Sequence, residues 1–200
     1  MNETLSDSEQ WSGLLPDLLR HPVTGLTSVA AIGVTIAYWS GWNINPLLTN
    51  SKAFGGEPWR LVTSALPHTN FLHLLFNLYW LIYFGKHAEP RFGWWRTADL
   101  YSLLAGTSAA AEYAVSLGGI GLSGLGYGLF ALFWVLSRRD TRLRSAIDAQ
   151  TTWIFVGWFF LCVVLTVLDV WQVGNVAHLT GAITGGLVGL GLNTRTRRGN

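Results

Sequence analysis

The chain is poor in charge and in cysteine. Only 12% of its 200 residues are charged, about half the share found in soluble globular domains, which excludes an ordinary soluble domain. The single cysteine, Cys162, excludes an internal disulfide and a multi-cysteine metal site. A net charge of +2, with no basic run interleaved with aromatic residues, excludes nucleic acid as a partner.

Apolar and small residues are abundant instead. Half of the residues are hydrophobic, and the chain has 11 Trp and 23 Gly, a composition typical of membrane helices with aromatic anchors and close glycine contacts. Because a span needs about 20 residues, we predict an all-α, polytopic membrane protein with six transmembrane helices and no large soluble domain. The predicted spans are 23–42, 70–85, 98–117, 121–137, 152–168 and 175–192.

Lysine and arginine fall mostly on one side of these spans. All but Lys52 and Arg60 lie on the side of the N-terminus, so the positive-inside rule predicts that both termini are cytoplasmic. The outer loop 43–67 is rich in Pro and Gly, which predicts a non-helical loop at the membrane surface. The predicted domains are a cytoplasmic tail 1–22, a six-helix membrane domain 23–192 and a cytoplasmic tail 193–200.

Two of the spans combine a reactive polar residue with a stripe of glycines. His178 shares a helix face with three glycines that lie 3, 7 and 11 residues after it. Ser123 begins a span that carries a pair of glycines four residues apart. Packing of the two helices through these stripes would bring Ser123 and His178 to the same depth. The glycines are Gly124 and Gly128 after Ser123, and Gly181, Gly185 and Gly189 after His178.

Serine beside histidine indicates nucleophilic catalysis. The Ser123 hydroxyl needs a neutral imidazole to take its proton, and His178 can supply one. His73 and Asn77, four residues apart on one helix face, and the Ser123 N–H are candidate donors of an oxyanion hole. An ionised carboxylate buried near this pair without partners is costly, so we predict a dyad without a third member. Glu112, near an outer helix end, is expected to be hydrated or paired, with little functional meaning.

These residues belong to a longer set of motifs, and with them the chain resembles the rhomboid intramembrane serine proteases over most of its length. The resemblance is to the six-helix form common in prokaryotes. The matching residues are Glu57-Pro58-Trp59-Arg60, then His68, His73 and Asn77, then Glu89, Arg91 and Gly93, then Gly121-Leu122-Ser123-Gly124 with Tyr127, and finally Asn175 and His178 with Gly181, Gly185 and Gly189.

The resemblance implies a role for each site residue. Ser123 would be the nucleophile and His178 the base, with His73 and Asn77 as oxyanion donors. Tyr127 would pack against His178, while His68, Trp59 and Arg60 would shape the outer loop.

The resemblance also implies partners and location. The substrates would be transmembrane segments of other membrane proteins, surrounded by membrane lipids, and they would enter between the second and fifth spans. Phe76, Trp80 and Trp158 are candidates for the residues at that gap. No cofactor or metal is required, and the expected location is the plasma membrane of a prokaryote.

Other functions fit parts of the pattern. A non-catalytic rhomboid-like protein would bind transmembrane partners through the same gap, although it need not keep both Ser123 and His178. A small transporter would line a continuous pore with polar residues, whereas the inner halves of these spans carry few. His68, His73 and His178 could in principle form a three-histidine metal site.

Overall fold

The regular structure of the chain is helical. A computed structural model describes residues 19–138, 140–144 and 146–197, and these ranges contain no β-strand. The α-helices are α1 (Pro22–Trp39), α2 (Trp59–Thr63), α3 (Phe71–Phe92), α4 (Trp94–Ser116), α5 (Ser123–Ser137), α6 (Ala149–Val167) and α7 (Asn175–Arg197). Short 3-10 turns lie at Asn45–Leu47, Ser51–Phe54 and Thr141–Leu143.

Several helices are apolar enough for a membrane. Three of them, α1, α6 and the Asn175–Leu192 part of α7, have the length and hydropathy of a membrane span, and α5 is apolar but shorter. The chain is therefore an integral multi-pass membrane protein. Each of the six predicted spans coincides with a helix, but α3 and α4 carry too many polar residues to be identified by hydropathy.

The predicted bounds of the second span were too short. Helix α3 continues past residue 85 to Phe92 and ends at Gly93, whose φ of +77° suits glycine. The charged side chains that end the apolar run do not end the helix, because Glu89 turns into the protein. Its carboxylate accepts hydrogen bonds from the backbone N–H groups of Val23 (3.1 Å) and Thr24 (2.7 Å) at the start of α1.

The segment 43–67 is not the non-helical loop that we predicted. It contains α2 and two of the 3-10 turns, and it folds around the buried guanidinium of Arg60. This group pairs with Glu57 and donates to the backbone oxygens of Asn45 (2.5 Å) and Leu48 (3.2 Å). Two backbone oxygens and one carboxylate thus share one cation, which orders the loop.

Helix α5 lies at the centre of the bundle, between α4 and α7. Its contact with α7 is made by backbone: a Cβ on Gly181 would lie 2.0 Å from Gly124 O, and a Cβ on Gly185 would lie 1.9 Å from Gly128 O. The two helices thus pack through their glycine stripes, as predicted, but Gly124 and Gly128 direct their missing side chains mainly at α4. There, a Cβ on either residue would meet a side chain at 2.6 Å, that of Ser108 or Leu104 respectively.

Candidate active site

Ser123 and His178 are in direct contact. The Ser123 Oγ lies 2.9 Å from His178 Nε2, at the first residue of α5 and in the first turn of α7. His178 is 3% exposed, and among the described residues nothing hydrogen-bonds to its Nδ1. With Nε2 accepting from the serine hydroxyl, the ring proton resides on Nδ1.

Tyr127 holds the His178 ring from one side. The two rings stack with centroids 4.5 Å apart and an angle of 25° between their planes. The Tyr127 hydroxyl donates to Phe155 O in α6 at 3.1 Å. Because the Tyr127 hydroxyl is fixed by this hydrogen bond, the tyrosine ring holds the stacked imidazole in the orientation that directs Nε2 at Ser123.

The turn before Ser123 depends on glycine. Gly121 has a φ of +112°, and a Cβ at this position would lie 2.7 Å from Cε1 and 2.8 Å from Nε2 of His73. Gly121 N donates to Ser64 O at 3.4 Å. Any side chain at 121 would therefore strain the backbone and displace the His73 ring.

His68 lies behind this turn rather than on the surface of the outer loop. Its Nε2 accepts from Leu122 N at 3.3 Å, and its Nδ1 donates to Leu66 O at 2.9 Å. Helix α1 supports the segment, since Trp39 Nε1 donates to His68 O at 2.9 Å. His68 is therefore a buried support for the residue that precedes Ser123.

Burial also determines the charge of His68, which lies outside the membrane-spanning helices. The side chain is fully buried, and burial, followed by the nearby His73, lowers its pKa from 6.5 to about 3. The hydrogen bond to Leu66 O opposes this shift. A neutral ring agrees with one nitrogen donating and the other accepting.

The stability of the fold is expected to fall as the pH is lowered from 6.5 towards about 3. The unfolded chain binds a proton at His68 below pH 6.5, whereas the folded chain resists it, so acid favours unfolding. Thermal unfolding in detergent across this range would measure the effect. The control is His68→Gln, whose amide can make both hydrogen bonds but does not titrate. It should show a flatter pH dependence, and equal slopes for the two proteins would contradict the assignment.

The predicted oxyanion donors lie on α3, where His73 faces the turn that leads to Ser123 and Asn77 follows one turn later. His73 Nδ1 is 3.2 Å from Thr69 Oγ1, and its Nε2 side faces Gly121. Asn77 is buried, and its amide donates one hydrogen to His73 O at 2.8 Å. An amide has a second N–H, so Asn77 keeps a donor beyond the one given to His73 O.

Aromatic rings join α3 to α6 at one side of the bundle. Phe76 and Trp158 lie 5.3 Å apart, and Trp80 and Phe155 lie 4.7 Å apart. Few residues of α6 are buried, namely Thr151, Phe155 and Cys162. The contact between these two helices therefore consists mainly of adjustable side chains, in contrast to the backbone contact between α5 and α7.

Glu112 is paired, which is one of the two states that we predicted for it. The side chain is only 5% exposed, and its carboxylate accepts from Ala177 N (2.8 Å) and Ser116 Oγ (2.5 Å). The sequence shows a charged residue late in an apolar helix but cannot show the partner, because the partner is a backbone N–H 65 residues away. One feature of the sequence could have indicated the need for such a partner. Gly174, which precedes α7, has no side chain with which to cap that helix.

The described residues contain no group of three or more His, Cys, Asp or Glu arranged to hold a metal ion. His68 and His73 are neighbours, with ring centroids 4.9 Å apart. However, the Nε2 of His68 is occupied by Leu122 N–H and that of His178 by Ser123. The three-histidine metal site is therefore not supported by this arrangement.

A comparison with protein families identifies the family. The family model described as the Rhomboid domain covers residues 55–195. This range includes every residue of the site described above, from Arg60 to His178, apart from the supporting residues of α1.

Proposed function

The chain belongs to the rhomboid family, and on that premise we propose that it is an intramembrane serine endopeptidase. Its substrates are transmembrane segments of other membrane proteins. The observation that carries the proposal is the 2.9 Å contact between Ser123 Oγ and His178 Nε2. A nucleophile and a base within hydrogen-bond reach are the minimum that covalent hydrolysis needs.

The reaction proceeds in two halves. Ser123 Oγ attacks the scissile carbonyl carbon while His178 Nε2 takes the hydroxyl proton, and the same proton then goes to the departing amine as the C–N bond breaks. The ester so formed on Ser123 is hydrolysed by water, with His178 acting first as base and then as acid. No carboxylate contacts Nδ1 among the described residues, so the ring is oriented by Tyr127 instead.

The negative oxygen of the tetrahedral intermediate is stabilised by three donors. In this assignment Thr69 Oγ1 is the donor in its hydrogen bond with His73 Nδ1, so that the His73 proton lies on Nε2, which faces Gly121. The second N–H of Asn77 and the backbone N–H of Ser123 complete the set. Removing one such donor typically costs 10²- to 10³-fold in rate.

The substrate enters between α3 and α6. Phe76 and Trp158 close this gap by ring contact, and a small change of side-chain rotamer opens it without breaking backbone contacts. Phe155 lies directly behind, against both Trp80 and Tyr127. A helical substrate must unwind near Ser123, because the carbonyl of a helical peptide is already hydrogen-bonded.

The membrane domain 23–192 spans the bilayer six times, with both termini in the cytoplasm of a prokaryotic cell. The polar helices α3 and α4 cross as well as the apolar ones, because their polar groups turn inward, as Asn77 and Glu112 do. The distribution of Lys and Arg supports this orientation. The active site then opens towards the outer side through the short α5.

Covalent labelling tests the proposal without a known substrate. The purified protein in detergent is treated with a fluorophosphonate, and mass spectrometry is used to locate the adduct; we expect it on Ser123, and only in the folded protein. An active rhomboid protease is treated in parallel. If that protein is labelled and this one is not, the protease proposal fails in favour of a non-catalytic binder of transmembrane partners.

A further inference from the structure

Glu112 connects the helix that carries His178 to α4. Its Oε2 accepts from the backbone N–H of Ala177, the residue immediately before His178, at 2.8 Å. Its Oε1 accepts from Ser116 Oγ, one turn further along α4, at 2.5 Å. Both carboxylate oxygens are therefore bonded, and the side chain is held in one orientation.

The start of α7 needs an acceptor from elsewhere. His178 N donates to Gly174 O at 3.1 Å, which makes Gly174 the residue that caps the helix. The N–H groups of the first turn have no partner within a helix and are usually satisfied by a Ser, Thr, Asp or Asn side chain at the cap. Glycine has no such side chain, so Glu112 supplies the acceptor, and its negative charge suits a helix N-terminus.

Two glycines make room for this carboxylate. A Cβ on Gly174 would lie 3.3 Å from Glu112 Oε2, and a Cβ on Gly119 would lie 3.3 Å from Glu112 Cγ. Gly174 precedes the helix of His178, while Gly119 belongs to the turn that leads to Ser123. Glu112 thus lies between the two segments that deliver the dyad.

Ser108, one turn before Glu112 on the same face of α4, makes similar contacts. Ser108 Oγ lies 2.7 Å from the position of a Cβ on Gly124 and 3.0 Å from that of a Cβ on Gly181. Ser108 therefore touches both α5 and α7, while Glu112 touches the turn before α5 and the start of α7. Helix α4 is the common support on which the relative position of Ser123 and His178 depends.

We propose that Glu112 is a positioning residue of the active site, which holds the first turn of α7 so that His178 Nε2 stays within reach of Ser123 Oγ. This inference rests on the proposed protease function. It assigns Glu112 no proton transfer and no contact with substrate. Its effect passes through two hydrogen bonds, to Ala177 N and to Ser116 Oγ.

The chain offers a matched control in Glu89. This carboxylate is buried to the same degree, at 6% exposed, and it also caps a helix of another segment, through Val23 N and Thr24 N of α1. It does not touch α5 or α7 in any hydrogen bond of the described chain. A merely structural role for Glu112 predicts that Glu112→Ala and Glu89→Ala behave alike.

The test compares Glu112→Ala, Glu112→Gln and Glu89→Ala by rate of fluorophosphonate labelling, measured at a temperature below all the unfolding transitions. A shift of about 1 Å in a reacting group can cost about 10²-fold, so we expect Glu112→Ala to react 10- to 100-fold more slowly. Glu112→Gln keeps an acceptor for Ala177 N–H and should recover most of the rate. Glu89→Ala should lower the unfolding temperature but leave the rate unchanged.

Two outcomes overturn the proposal. One is equal labelling rates for Glu112→Ala and the unmodified protein, and the other is a Glu112→Gln rate as low as that of Glu112→Ala. Amide hydrogen exchange at Ala177 gives an answer independent of catalysis: it should quicken in Glu112→Ala and not in Glu112→Gln. If the unmodified protein is not labelled at all, the protease proposal fails, while the exchange measurement still decides the role of Glu112.

Discussion

Ser123→Ala is expected to abolish fluorophosphonate labelling, and His178→Ala is expected to slow it by about 10²- to 10⁴-fold, the usual contribution of a general base. The difference follows from the geometry. Ser123 Oγ is the atom that forms the covalent bond, whereas His178 Nε2, 2.9 Å away, only removes its proton. Pseudo-first-order labelling rates across probe concentrations would measure both effects.

Folding must be shown to be intact in these variants. His178 stacks on Tyr127 with ring centroids 4.5 Å apart, so removal of the ring loses packing as well as the base. His178→Phe is a useful control because it keeps an aromatic ring beside Tyr127 but has no nitrogen. Labelling of Ser123→Ala, or a His178→Phe protein that reacts at the original rate, would contradict the dyad.

The proximity of Ser123 and His178 could be predicted from the sequence because both residues are conspicuous there. A serine and a histidine in apolar spans, each followed by glycines at helical spacing, can be assigned to one face of each helix without a structure. Two helices with such stripes approach closely, which fixes the depth of both polar groups. The structure supplied the distance and the orientation, and the latter depends on Tyr127 and Phe155.

The bounds of the helices were harder to predict from the sequence, because a charged residue ends an apolar run without ending the helix. Lys86, Glu89 and Arg91 lie in the last turns of α3, beyond the predicted span 70–85. Glu89 is accommodated because two backbone N–H groups of α1 receive its carboxylate. The acceptor at the start of α7 could not be predicted from the sequence either. The partner of Glu112 is a backbone N–H group, and residue types do not reveal which backbone groups a side chain meets.

The glycine stripes show another limit of prediction from the sequence. Periodicity places Gly124 and Gly128 on one helix face but does not identify the neighbour of that face. The structure shows that their carbonyl oxygens contact α7, while their side-chain positions face mainly α4. Helix α5 therefore contacts both α4 and α7. The glycine stripe that we assigned to one helix interface takes part in two.

Gly185→Ala is expected to destabilise the protein by about 1–3 kcal/mol or more and to suppress labelling of Ser123. The added Cβ would lie 1.9 Å from Gly128 O and 2.6 Å from Gly128 C, both backbone atoms that cannot move aside. Overpacking of this kind typically costs about 1–3 kcal/mol, and more where relaxation is blocked. Separation of α5 from α7 also draws Ser123 away from His178, since each helix carries one of them.

The adjacent Gly186 provides the matched control. A Cβ there meets nothing within 4 Å, and alanine is the better helix former by about 1 kcal/mol, so Gly186→Ala should leave labelling unchanged and stability equal or higher. Thermal unfolding in detergent and labelling rates at low temperature would compare the two single-methyl variants. Equal behaviour of Gly185→Ala and Gly186→Ala would mean that α5 and α7 do not meet through their backbones, and the positioning of the dyad would then need a different explanation.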